Sequence, residues 1–126
     1  MVIRSYRDLR VWQKSVDLAV DCYRLSRRLP RSEMYGLSSQ IQRSAASIPA
    51  NIAEGHGREH LGDYLHHLSV ANGSLMELET HLLIAARLTY LNSGDLKPAF
   101  LQTAEVGRML SGLISKLQDS KRRLRP

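Results

Sequence analysis

Apolar residues recur every three or four positions along four stretches of the chain, and loop-forming residues separate the stretches. The first stretch predicts a helix over about residues 7–29, with Leu9, Trp12, Val16, Ala19 or Val20, and Tyr23 as its buried stripe and Pro30 just beyond its last turn. The second predicts a helix from Ser32 or Glu33, where Ser32 suits an N-cap and Glu33 the positive end of the dipole. Its stripe is Leu37, Ile41, Ala45, Ile48 and Ile52. Pro49 lies inside it and has no N–H to offer the Ala45 carbonyl. The stripe stays in phase through Ile52, so a kink is expected there, not an end. Ser44, Ser47 or Asn51 would re-satisfy the freed backbone, and Gly55 with Gly57 would stop the helix.

The third stretch, about residues 59–91, places Leu61, Leu65, Leu68, Ala71 or Asn72, Leu75, Leu78, Leu82 and Ala85 close to a 3.5-residue period. That period belongs to near-parallel helix packing. Gly73 in its middle costs helix propensity, so close approach of a neighbouring helix is its expected use. Asn92-Ser93-Gly94-Asp95 reads as a loop. A fourth helix follows, capped by Ser93 or Asp95, with Pro98 in its first turn. Leu96, Phe100, Thr103, Val106, Leu110, Leu113 and Leu117 form its stripe, and a frayed basic tail covers about residues 119–126. No strand alternation or repeat array interrupts this plan. The predicted fold is all-α: one domain over residues 1–126, an antiparallel up-down-up-down four-helix bundle with a proline-kinked second helix.

Charge adds a direction to that bundle. The net charge is +6, and residues 1–31 hold eight Arg and Lys against three Asp, while residues 95–126 hold seven against three acids. Arg7, Arg10, Lys14, Asp17, Asp21, Arg24, Arg28 and Arg31 step by threes and fours, which puts them on one side of the first helix, away from its apolar stripe. Lys14 is expected to pair with Asp17, and Arg24 with Asp21. An up-down-up-down bundle brings both termini to one end. Arg4, Arg7, Arg10 and Lys14 would then share a surface with Lys121, Arg122, Arg123 and Arg125, and many cations on one surface suit phosphate contact.

Candidate chemistry is sparse. His60, Asp63 and His67 share a helix face at i, i+3 and i+7, with His56 nearby, yet neither cysteines nor an HExxH pattern accompany them. Glu54, Glu77 and Glu79 have no nucleophile or phosphate loop beside them and read as structural or interface carboxylates, with Arg43 as a candidate partner. A lone Cys22 excludes an internal disulfide and reads as a core residue, which favours a reducing cytoplasm. The first residues lack the apolar core of a signal peptide, and no stretch approaches the length of a membrane span. The reading expects no catalytic site, no metal and no cofactor.

Several pieces carry a resemblance: Leu9-Arg10-Val11-Trp12-Gln13, Tyr35-Gly36-Leu37, Gln40-Ile41-Gln42-Arg43, Ser47-Ile48-Pro49-Ala50-Asn51-Ile52-Ala53-Glu54-Gly55, and Gly73-Ser74-Leu75-Met76-Glu77-Leu78-Glu79-Thr80. Together they resemble the 23S rRNA intervening-sequence proteins, a family of small four-helix bundles. The resemblance implies a kinked second helix, a closed homopentamer and no enzyme activity. A related branch is similar to the accessory bundle protein of diversity-generating retroelements, which works with a reverse transcriptase and nucleic acid. Gln42 departs from the family, which often has a second arginine there.

Two functional expectations follow. One is a non-enzymatic homo-oligomer that binds RNA or DNA backbone through Arg4, Arg7, Arg10, Lys14 and the tail cations. In it Arg43, Pro49, Asn51, Glu54, Gly55, Glu77 and Glu79 serve subunit contacts or helix geometry. The alternative is an interaction scaffold whose basic end docks an acidic protein such as a polymerase.

Overall fold

Side chains of Ser5, Glu33 and Asn92 satisfy backbone N–H groups where helical segments begin. In the computed structural model, which describes residues 2–124, the helices are α1 Arg10–Ser26, α2 Leu37–His56, α3 Leu61–Arg87 and α4 Ser93–Arg123. Single 3-10 turns cover Tyr6–Asp8 and Arg31–Glu33, and there is no strand among the described residues. The protein is all-α, and its helices pack as a bundle.

α1 starts later than its apolar pattern because Ser5 and Asp8 close a capping box of their own. The Ser5 hydroxyl accepts from the Arg7 N–H at 3.1 Å, and the Asp8 carboxylate accepts from the Ser5 N–H at 3.2 Å. Extended backbone at Leu9 then separates this turn from the helix. α2 also starts late. Its cap is Glu33 reaching forward: Oε1 accepts from the Leu37 N–H at 3.1 Å, and Oε2 accepts from the Tyr90 hydroxyl at 3.0 Å. One carboxylate thus ties the start of α2 to the connection between α3 and α4. For α4 the cap is Asn92, in place of the expected Ser93 or Asp95. Its Oδ1 accepts from the Asp95 N–H at 2.9 Å, and the Asp95 carboxylate accepts from the Asn92 N–H at 3.0 Å. Pro98 is accordingly the sixth residue of α4, beyond the first turn. At the other end α4 stays helical through Arg123, where fraying was expected.

α2 runs unbroken through Pro49. The Asn51 amide donates to the Ser47 carbonyl at 2.8 Å and to the Ser47 hydroxyl at 3.0 Å, bracing the turn that holds the proline. The two glycines read as structural exchange roles. Gly55 does not stop α2; it is buried, and a β-carbon there would stand 2.7 Å from His67 Cβ and 3.0 Å from Tyr64 Cδ1. Gly73, the expected point of close approach, has nothing within 4 Å of its would-be β-carbon.

Most of the stripes predicted for α2 and α3 is buried: Ile41, Ala45, Ile48 and Ile52 meet Leu68, Ala71, Leu75, Leu78, Leu82 and Ala85, with Val106 and Leu110 from α4, while Leu37, Leu61 and Leu65 are half-buried. In α1 the buried face is turned relative to the prediction. Val11, Ser15, Leu18, Ala19 and Cys22 point inward, while Val20 and Tyr23 are 44% and 39% exposed. The serines explain the turn. Ser15 donates to the Trp12 carbonyl at 2.8 Å and Ser26 to the Tyr23 carbonyl at 2.7 Å, so each buries its hydroxyl satisfied. Small inward residues then let α1 lie close to the core.

α1 packs on α2 and α4, and α3 packs on the same two helices. Side-chain pairs give the directions. Along α1 and α4, Lys14 meets Glu105 at 3.6 Å, Gln102 donates to Asp21 at 2.9 Å, and Arg28 pairs with Asp95. Along α2 and α3, Ser47 meets Ser74 at 2.9 Å, and Asn51 meets His67 at 3.2 Å. Along α3 and α4, Thr103 donates to Glu79 at 2.9 Å, and the Lys121 ammonium lies 3.8 Å from the β-carbon position of Gly62. In each pair, residue numbers rise on one helix as they fall on the other.

Candidate polyanion-binding pole

Opposed directions along α1 and α4 put the start of α1 at the same end as the finish of α4. Arg4, Arg7 and Arg10 are exposed on the first 3-10 turn and the opening of α1, and Lys121, Arg122 and Arg123 are exposed on the last turn of α4. Arg125 lies outside the described residues. The 3-10 turn leans on α1 and α2, whereas the end of α4 lies over the first turn of α3, so the two clusters flank the pole from different sides. Among the described residues Arg4, Arg7, Arg10, Lys121 and Arg123 make no ion pair, while Arg122 has Asp119 at 3.7 Å. The Arg7 guanidinium sits 5.7 Å over the Tyr6 ring, and Tyr6 meets Trp12 edge-on at 5.1 Å, which fixes the turn beneath the cations.

Two parts of the charge reading are corrected. Most of the charged stripe of α1 is exposed, but it borders α4, where Glu105, Gln102 and Asp95 engage Lys14, Asp21 and Arg28. Lys14 pairs with Glu105 in place of Asp17 and is not a free cation. The stripe also spans the length of the bundle, so Arg24, Arg27, Arg28 and Arg31 lie at the pole opposite the tail. There Arg28 is held by Asp95, and Arg24 has the expected Asp21 at 3.4 Å.

Of the motif residues, Asn51 and Glu54 fall into a polar seam between α2 and α3, beside His67. Glu54 pairs with Arg58 at 2.9 Å and has His67 Nδ1 at 4.0 Å, so its partner is Arg58 and not Arg43. Glu79 is half-buried and occupied by Thr103. Arg43 and Glu77 are exposed, and Pro49 and Asn51 are half-buried. His60 and Asp63 are exposed, whereas His67 turns to Asn51, so the three do not converge. Among the described residues no group of three or more His, Cys, Asp or Glu is placed to hold a metal ion. Glu33, Tyr64 and Thr103 hold elements together through Tyr90, Gly55 and Glu79, partners on other elements that the spacing along one helix did not assign.

Perturbed groups lie in the core or at caps. Burial, aided by the charge of Asp21, pushes the Cys22 thiol up to about 12. Burial raises the Tyr64 phenol, and the hydrogen bond to Glu33 is the main cause that raises Tyr90. None of these groups lines a cleft with a second reactive side chain. No helix among the described residues is long and apolar enough to cross a membrane.

An all-α bundle with a cationic end and a polar α2–α3 seam is the class of protein these features define. The sequence pattern of the 23S rRNA-intervening sequence protein family matches residues 7–112, and the chain belongs to that family. A solved structure from Bacteroides thetaiotaomicron, described as a protein of unknown function from the S23 ribosomal protein family, superposes with a TM-score of 0.77. It is 28% identical over 82% of this chain and 97% of its own. Among curated proteins, none matches the chain.

Proposed function

We propose that this protein is a non-enzymatic cytoplasmic homo-oligomer, a pentamer, that binds nucleic-acid backbone through its cationic pole. The observation that carries the reading is that Arg4, Arg7 and Arg10 gather at the same end as Lys121 and Arg123 with no carboxylate partner among the described residues. Phosphate contacts need unneutralised cations and gain from counterion release. Five copies around one axis would multiply the field at that end. The contacts are to backbone, because Tyr6 already carries Arg7 on its ring and offers no free stacking platform.

A salt titration of binding to a structured RNA and to duplex DNA tests the reading. Five phosphate contacts per copy predict a log–log slope near about −4 to −5. Replacing Arg4, Arg7 and Arg10 with Gln should shorten the slope by roughly three. Salt-independent binding, or none to either polymer, refutes it.

A further inference from the structure

Two apolar faces on this chain are uncovered, and they differ in shape and charge. The first is a trough between α1 and α2, a cavity of about 540 Å³ lined by Val16, Val20, Tyr23, Arg24, Arg27 and Pro49. A second cavity of about 320 Å³ shares Arg27 and carries the trough on past Pro30 to Met34. The trough exists because α1 turns Ser15 and Cys22 inward, which leaves Val20 and Tyr23 outside.

The second face is a ridge along α3. Val70, Glu77 and Ile84 step by seven, as do Met76 and Leu83 beside them, and all five are exposed. Met76 and Leu83 are 58% and 50% exposed. Gly73 sits among them, open, in the middle of a long helix where it costs about 1 kcal/mol against alanine. Within one chain nothing offsets that cost. A helix from outside, packed against the bare backbone at Gly73, would.

We propose that the ridge of one copy seats in the α1–α2 trough of the next. This rests on the homo-oligomer reading above and names its surfaces. Charge selects the occupant. Glu77 has no ion-pair partner among the described residues, and neither has Arg27, while Arg24 has only the exposed Asp21 of its own helix. A second copy therefore brings both apolar side chains for the trough and a carboxylate for its arginines. From Val70 to Ile84 the ridge spans about 21 Å; the α1 wall of the trough, Val16 to Ser26, spans about 15 Å, and the trough continues past Pro30 to Met34. The two faces lie on different helices, so the contact is heterologous. Such a contact closes into a ring when the rotation allows, and puts the same pole of every copy on the same rim.

Light scattering on Glu77→Arg, on the Arg24→Glu/Arg27→Glu double variant and on the triple combination tests this. The wild type should have an oligomeric mass. Glu77→Arg and the double variant should each dissociate roughly tenfold or more readily at fixed salt, and the combination should recover mass. Circular dichroism on each variant establishes that the exposed substitutions leave the bundle folded. Independently, copies bearing Val20→Cys mixed with copies bearing Leu83→Cys should cross-link to each other with a short bis-maleimide, the native Cys22 being fully buried. A monomeric wild type overturns the homo-oligomer reading and this inference with it. An oligomer whose mass ignores the charge reversals, and whose two cysteine variants do not cross-link, overturns the inference alone.

Discussion

Replacing Gly55 with alanine separates two accounts of the central motif by sign. If Gly55 were only an uncrowded position within α2, alanine would help, because glycine within a helix costs about 1 kcal/mol. In the structure Gly55 is inside α2 and faces α3. The new β-carbon would stand 2.7 Å from His67 Cβ, 3.0 Å from Tyr64 Cδ1 and 3.3 Å from the Tyr64 carbonyl oxygen. Carbon pairs reach their minimum near about 3.5–4 Å, so the two carbon contacts are repulsive, and the contact to the carbonyl oxygen is tight. A β-carbon cannot swing away as the tip of a long side chain can. Relief requires α3 to back off, which stretches the His67 to Asn51 hydrogen bond from 3.2 Å. Overpacking of this kind costs about 1–3 kcal/mol. Set against the propensity gain of about 1 kcal/mol, a net loss of up to about 2 kcal/mol is expected, or up to about 8 °C in Tm. Gly112→Ala is the control: nothing lies within 4 Å of its β-carbon position, and it should gain roughly 0.5–1 kcal/mol. Urea melts followed by circular dichroism at one fixed protein concentration make the comparison, since self-association would add to apparent stability. A Gly55→Ala midpoint at or above wild type, with unchanged m, refutes the close-approach account.

Other outcomes follow from the caps and the buried titratable groups. Asn92→Ala removes the side chain that caps α4 and should cost about 1 kcal/mol in the same melts. Tyr90 and Tyr64 have phenols raised in the folded state, so their contribution to stability is complete below the ordinary phenol range near about pH 10. It is lost as pH rises through the folded values, and Tyr90→Phe should shrink that alkaline loss in melts taken across the range. Cys22, held near 12 and buried, should resist thiol reagents at neutral pH in the native protein and react once urea unfolds it; prompt native labelling would contradict its placement.

Local spacing was enough to read four helices and most of the buried stripes of α2 and α3; the break expected at Asn92 to Asp95 lies instead at Leu88 to Asn92, because Asn92 caps a helix that already includes Ser93. Ile41, Ile48, Leu68, Leu75 and Leu82 have large apolar side chains at helical intervals, and burying them dominates any competing preference. The resemblance in the Ser47 to Gly55 and Gly73 to Thr80 segments likewise led to the family. Where two candidate faces were nearly equal, the sequence was silent. In α1, Val16, Val20 and Tyr23 compete with Val11, Leu18 and Cys22, and the choice went to the face whose serines could satisfy their hydroxyls on their own backbone.

What only the tertiary structure decided are the matters that depend on a distant partner. Gly55 and Gly73 look alike as helix glycines, yet one is pressed by Tyr64 and His67 and the other is open. Lys14 looks set for Asp17 and Arg28 looks free until Glu105 and Asp95 arrive from α4. The sequence by itself determined which residues can form helices and which charges the chain carries, because those are local properties of side chains at fixed intervals. Which glycine is crowded and which cation is neutralised depends on how the helices are docked, and docking is set by contacts between residues tens of positions apart.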